Sequence, residues 1–152
     1  MNTRSKRLIP VVIFVSLMAI TSQAQWVAVA RAVSGRIQRM EQQGANGQGG
    51  YDVATVVIEA NARNVYETAL QRLKAHADEV KVIREDARTR TVAFTNGQQT
   101  ASLQANTLGD KLTQLVVASS LDPAQHSVTP LVVKSIQQVC TEMKVECTVQ
   151  ND

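Results

Sequence analysis

Two hydrophobic rhythms organise the chain beyond residue 50, one of period two and one of period near 3.6. Residues 51–59 (YDVATVVIE) are rich in β-branched side chains and mostly apolar on both alternating faces, the pattern of a strand. Asn61 can cap the helix that follows. There Val65, Tyr66, Ala69, Leu70, Leu73 and Ala77 form a stripe, with Arg63, Glu67, Gln71 and Lys74 opposite. Residues 80–84 (VKVIR) predict a second strand, and Glu85-Asp86-Ala87-Arg88 a polar turn. Alternation returns over 91–95 (TVAFT) and 98–105 (QQTASLQA), on either side of Asn96-Gly97. Asn-Gly between such runs predicts a two-residue type I′ hairpin, because both central residues of that turn need positive φ. The implied register sets Thr95 opposite Gln98 and Val92 opposite Ala101, with Val92, Phe94, Ala101 and Leu103 on one face.

Leu108-Gly109-Asp110 turns the chain again, and residues 112–119 (LTQLVVAS) read as the fifth strand. The last helix has Thr129 at its cap, Pro130 at the first helical position, and Val128 able to staple onto Val133. Its stripe is Leu131, Val132, Ile136, Val139, Cys140 and Met143. The order β-α-β-β-β-β-α therefore predicts an α+β two-layer sandwich, an antiparallel sheet carrying both helices on one face. Five short strands bury two apolar stripes only in that way.

Ahead of this unit the pattern changes. Arg4, Lys6 and Arg7 precede the apolar run 8–20 (LIPVVIFVSLMAI), and Ser22-Gln23-Ala24 supplies small residues for a cut. Residues 1–24 thus read as a signal peptide cleaved near Ala24, which sends the protein to the periplasm or out of the cell. A second reading is an uncleaved anchor, since no charge falls between Leu8 and Ala30. Residues 25–50 form an arm and a Gly-rich linker, and 51–152 a single domain. Within the arm, Trp26, Val29, Val33, Ile37 and Met40 recur at helical spacing over residues 26–43. This is a frayed helix or disordered arm, or else a basic amphipathic segment with Trp26, Arg31, Arg36 and Arg39 weakly touching a membrane surface.

Charge follows from the cut. The net +3 comes from 16 Lys and Arg against 13 Asp and Glu. Removing Arg4, Lys6 and Arg7 leaves 16 − 3 = 13 bases against 13 acids, so the remaining chain is neutral. Nucleic-acid binding loses its electrostatic basis, and two Phe, two Tyr and one Trp offer no stacking platform.

Candidate chemistry is sparse. Cys140 and Cys147 are the only cysteines, and in an oxidising compartment they are disulfide candidates. On a continuous helix seven residues span about 10.5 Å, beyond the ~7 Å that a disulfide tolerates between Cα atoms. The bond therefore requires the helix to end near Lys144 and the tail to fold back. His76 and His126 are isolated, Glu85-Asp86 sits in a turn, and Ser119-Ser120 lacks a glycine elbow. These patterns predict no catalytic residue, no cofactor site, no metal site, and no enzymatic activity.

The segments Val56-Val57-Ile58, Asn64-Val65-Tyr66-Glu67-Thr68-Ala69-Leu70-Gln71-Arg72-Leu73, Thr91-Val92-Ala93-Phe94 and Leu115-Val116-Val117 resemble a family of small Gram-negative envelope proteins. That family is grouped as a domain of unknown function, and its members are usually lipoproteins. The resemblance spans residues 51–143 and implies an envelope location. This chain departs from it in having no lipidation cysteine near the cut, and the family has no assigned catalytic residues to carry over.

One stretch points to binding. No charged residue occurs from Thr91 to Gly109. With the helices on one side, the hairpin would present Thr91, Ala93, Thr95, Thr100, Ser102 and Gln104 on the other, where exposed sheets commonly carry Lys or Glu. That face is read either as a docking surface, for an unknown envelope protein or for self-association, or as a merely polar sheet face. The alternative function is a small apolar-ligand carrier, with a cavity bounded by Val139, Met143, Leu115 and Phe94.

Overall fold

The computed structural model describes residues 34–42, 50–121 and 130–150, among which lie seven strands and two helices. The elements are β1 (Arg36–Gln42), β2 (Tyr51–Ile58), α1 (Ala62–Ala75), β3 (Lys81–Asp86), β4 (Thr91–Thr95), β5 (Thr100–Gly109), β6 (Leu112–Ser120), α2 (Leu131–Glu142) and β7 (Thr148–Val149). The sheet order is β3-β4-β5-β6-β2-β1-β7. Every pairing is antiparallel except β1 with β7. The α+β sandwich is as expected, with a strand added before and after the expected five. The signal segment with Ala24, Trp26 and Arg31, most of the linker, His126, Val128 and Thr129 lie outside the described residues.

Both helices cover one face. α1 packs on β5 and β6, α2 on β2 and β6, and the helices touch each other. Ala54, Val56 and Ile58 of β2, Val92 and Phe94 of β4, Leu103 of β5, and Leu115 and Val117 of β6 point into this layer with Val65, Val132 and Ile136. Each of these side chains larger than alanine contributes roughly 1.5–3 kcal/mol by leaving water. Asn61 begins α1 as its composition predicts, its Oδ1 accepting from Arg63 N at 2.9 Å. Its Nδ2 also donates to the Asp110 carbonyl, tying the helix start to the β5–β6 turn. Pro130 stands one position before the first helical residue, Leu131, rather than at it.

The helix expected over residues 26–43 is corrected where the structure describes it. Arg36–Gln42 is extended and pairs with β2 from Gln38↔Thr55 to Gln42↔Tyr51. Ile37 is fully buried in the core, so these residues belong to the domain and not to an arm. Two features select the strand. Gly35 holds φ +75 and lies so close to Glu146 that an added Cβ would sit 2.5 Å from the Glu146 carbonyl oxygen. Asp52, buried on the core face of β2, receives both of its oxygen contacts from Arg39 Nε, at 2.9 and 3.1 Å. Arg39 also reaches Glu41, and its pKa is raised chiefly by the hydrogen bond to Asp52. The arginine placed on a membrane-facing helix is therefore the counter-charge of a buried acid.

The hairpin register is corrected as well. Thr95 pairs with Thr100 and Val92 with Leu103, two positions beyond the expected partners, because the loop holds four residues and not two. Asn96 does not take positive φ; only Gly97 does, at +89. Asn96 Oδ1 instead accepts from the N–H groups of Gln98 and Gln99 at 3.0 and 2.7 Å, an Asx turn that widens the loop. Thr95 Oγ1 closes it by donating to the Gln99 carbonyl at 2.7 Å. The expected polar turn at Glu85-Asp86 begins later, since both residues belong to β3. β3 is interrupted by a bulge between Val82 and Arg84, which leaves Ile83 exposed at the sheet edge.

The C-terminus folds back through a helix cap. After α2, Met143 is the last αR residue and Lys144 takes φ +56. Val145 N donates to Cys140 O at 3.0 Å and Lys144 N to Thr141 O at 3.0 Å, the paired bonds of a Schellman motif. The reversal sets the Cys140 and Cys147 Cα atoms 6.1 Å apart, joined by a disulfide. β7 then lies along the start of β1, with Thr148 N bonded to Gly35 O and Gln150 N to Ile37 O.

Candidate docking face

The registers arrange the outward residues of five adjacent strands into rows. One row runs Ala93–Ser102–Ala118–Val53–Met40, and the next Thr91–Gln104–Val116–Thr55–Gln38. A third begins with the pair Thr95–Thr100 on β4 and β5 and resumes with Ser120–Tyr51 on β6 and β2. No Asp, Glu, Lys or Arg falls in them. All six residues expected on the face (Thr91, Ala93, Thr95, Thr100, Ser102 and Gln104) stand on this side, because a two-position shift of register preserves which face each side chain takes. Thr100, Ser102 and Gln104 are exposed, and Thr91, Ala93 and Thr95 half-buried.

Sequence reasoning missed the larger half of this surface. β6 adds Val116 and Ala118, β2 adds Val53, Thr55 and Val57, and β1 adds Met40. Met40 is 72 % exposed and Tyr51 63 %, unusual for large apolar side chains. The alternation within 112–119 could have shown that β6 is apolar on both faces. The Met40 contribution could not be seen without β1.

Charge returns at the margins, as Arg36 at the start of β1 and on β3 at the opposite edge. On β3, Lys81, Arg84 and Asp86 pair with Thr95, Ala93 and Thr91 and so continue the rows. Asp86 is held below the usual carboxylate range mainly by the Thr89 N–H at 3.2 Å, then by the Thr89 hydroxyl and the Arg88 N–H. An uncharged centre with charged borders matches the distribution of polarity in protein interfaces, where charge is depleted from the core and Met and Tyr are enriched.

The remaining candidates separate. Glu85 bonds Lys74 at 2.8 Å while Asp86 caps its turn, so the adjacent acids face different partners. Ser119 is buried, and Ser120 Oγ lies beside Thr100. His76 Nδ1 lies 3.0 Å from the Arg72 carbonyl. Among the described residues no cluster of three or more potential metal ligands occurs, and no helix is long and apolar enough to cross a membrane. Leu115, Val139 and Phe94 are buried. The cleft that Phe94 lines, between the end of α1 and the start of α2, holds about 40 Å³, room for about three waters. A wider cleft of about 220 Å³ lies at the other end, between Gly35, Val57 and the segment Val145 to Cys147.

No family model matches this chain, and no curated protein matches it. Among solved structures, a conserved protein of unknown function, EF2215 from Enterococcus faecalis, aligns with TM-score 0.50 and 12 % identity over 80 % of this chain and 81 % of its own. What the two share is a fold. The Zhui aromatase/cyclase from Streptomyces sp. R1128 aligns at TM-score 0.36 and 17 % identity, over 71 % of this chain and 87 % of its own. CalU16 from Micromonospora echinospora gives 0.41 and 11 %, over 71 % and 83 %. Likeness this distant carries neither chemistry nor ligand to the present chain.

Proposed function

We propose that the protein is an exported, non-enzymatic binding domain of the cell envelope, whose working surface is the uncharged outer face of its sheet. Its partner is a folded protein with a similarly flat, neutral surface. The observation that carries this reading is the set of three rows across five adjacent strands that hold no charged residue. Export rests on the basic, apolar and small-residue sequence of residues 1–24, and the envelope location also on the family resemblance. A disulfide between Cys140 and Cys147 suits an oxidising compartment. The carrier reading asks for an apolar pocket of about 300–1,000 Å³, and the 40 Å³ beside Phe94 falls far short.

The test is photocrosslinking in intact envelopes, with the crosslinker placed at Ser102 and, as a control, at the exposed Glu67 of α1. Adducts should form from position 102 and disappear when Thr100→Lys is introduced. If that substitution leaves every adduct unchanged, the face is not the binding surface. Mass analysis of the recovered protein checks the cleavage, which leaves an N-terminus at Gln25 for the cut at Ala24, or at Arg31 for a cut after Ala30.

A further inference from the structure

We infer that the surface seated on this face is the same face of a second copy of the chain, the two sheets packing as the layers of a β-sandwich. The inference rests on the binding reading above. It begins with the strands at the centre. A strand with one wet face alternates apolar with polar, whereas a strand covered on both faces is apolar throughout. β2 turns Val53, Thr55 and Val57 outward and Val56 and Ile58 inward; β6 turns Val116 and Ala118 outward and Leu115 and Val117 inward. Both read as strands covered on both sides, yet among the described residues only the inner side is covered.

Shape and charge then favour a like surface. β6 is the middle of the five strands, and Ala118 the middle of its row. A two-fold axis near Ala118 brings small residues, Ala118 and Ser102, together where the sheets come closest. The longer Met40 and Tyr51 lie farther out, where twisted sheets diverge. With 13 bases and 13 acids from Gln25 onward, two copies carry no net repulsion, and the three rows bring no buried charge into the contact, Arg36 of β1 lying beyond them.

Size sets the strength. Five strands about 4.8 Å apart and three rows about 6.8 Å apart give roughly 500 Å² of projected face per copy. Two copies cover about 1,000 Å² in total, the lower limit for a specific interface. The expected dimer is weak, half-formed on the order of 10–100 µM.

Sedimentation velocity of the disulfide-bonded chain recovered from cells, from 1 to 500 µM, tests this. The mass should rise from one copy toward two. Ser102→Glu and Ala118→Glu should each weaken association at least tenfold while melting within a few degrees of the parent, and Glu67→Lys should change nothing. Mixing Ser102→Glu with Ser102→Lys should restore association. Ser102 is already exposed, so that variant still reports if Ala118→Glu does not fold. A chain that stays monomeric to 500 µM, or a Ser102→Glu variant that dimerises like the parent, overturns the inference. If the chain is monomeric but Thr100→Lys abolishes the Ser102 adducts, only the second copy is wrong. If it is monomeric and the adducts persist, the binding reading falls too.

Discussion

Replacing Arg39 by Met tests the least expected part of the structure, the docking of β1. The Asp52 side chain is 4 % exposed and its carboxylate is held by Arg39 Nε, while Arg39 itself is 34 % exposed. Exposed ion pairs contribute about 0.2–1 kcal/mol, and removing one partner of a fully buried pair costs about 3–5 kcal/mol. Solvent at the guanidinium places Arg39→Met between these limits, at about 2 kcal/mol. In a domain of this size that lowers the melting temperature by about 8 °C, at roughly 4 °C per kcal/mol. The assay is urea unfolding of the parent, Arg39→Met, Asp52→Leu and the double variant. Because most of the cost is an abandoned buried carboxylate, the double variant should recover more than half of the loss seen in Arg39→Met. A loss below about 0.5 kcal/mol, or no recovery in the double variant, would refute the pairing and with it the strand.

Three further outcomes follow from the same geometry. Replacing Cys140 and Cys147 by Ala opens an eight-residue loop and should cost about 2 kcal/mol in urea unfolding, with faster hydrogen exchange at the Thr148 and Gln150 amides. Lys144→Gly should stabilise by about 0.5–1 kcal/mol, since glycine adopts the left-handed cap without a Cβ penalty; a lower melting temperature would contradict the cap. Burial holds the Tyr66 phenol above its ordinary value of 10.0, with the Glu85 charge adding to the effect. The unfolded chain then loses this proton first, so stability is complete below about pH 10 and declines as the pH rises through that point toward the folded value. Tyr66→Phe should flatten the decline, and identical alkaline melting curves would exclude the effect.

The parts of the fold legible from sequence are those whose pattern is set by one dominant period. The stripes of α1 and α2 and the alternation of β4 and β5 each bury one continuous face, so helix placement and sheet face follow from them. β1 hides because RIQRMEQ turns Ile37 inward and then spends its next inward position, Arg39, on an ion pair. What remains apolar, Ile37 and Met40, imitates a helical step. The available signal lay on the partner strand: an acid, Asp52, within a β-branched run requires a cation or water. β7, at two residues, is too short for any period and exists because the disulfide and the Lys144 reversal lay it against β1. The hairpin register failed through side-chain chemistry, since Asn96 satisfied amides with its own oxygen and left the left-handed conformation to Gly97. The six face residues were legible despite that error, because it spanned an even number of positions. The apolar rows of β6, β2 and β1 that complete the face depend on strand order, which no local pattern reveals.

The bulge in β3 has a consequence for how the protein behaves when crowded. Its break between Val82 and Arg84, with Lys81, Arg84 and Glu85 around it, spoils the straight ladder of free amides and carbonyls that an incoming strand would need. Lateral addition of a strand at that border is therefore disfavoured, which limits edge-to-edge growth of the sheet from that side.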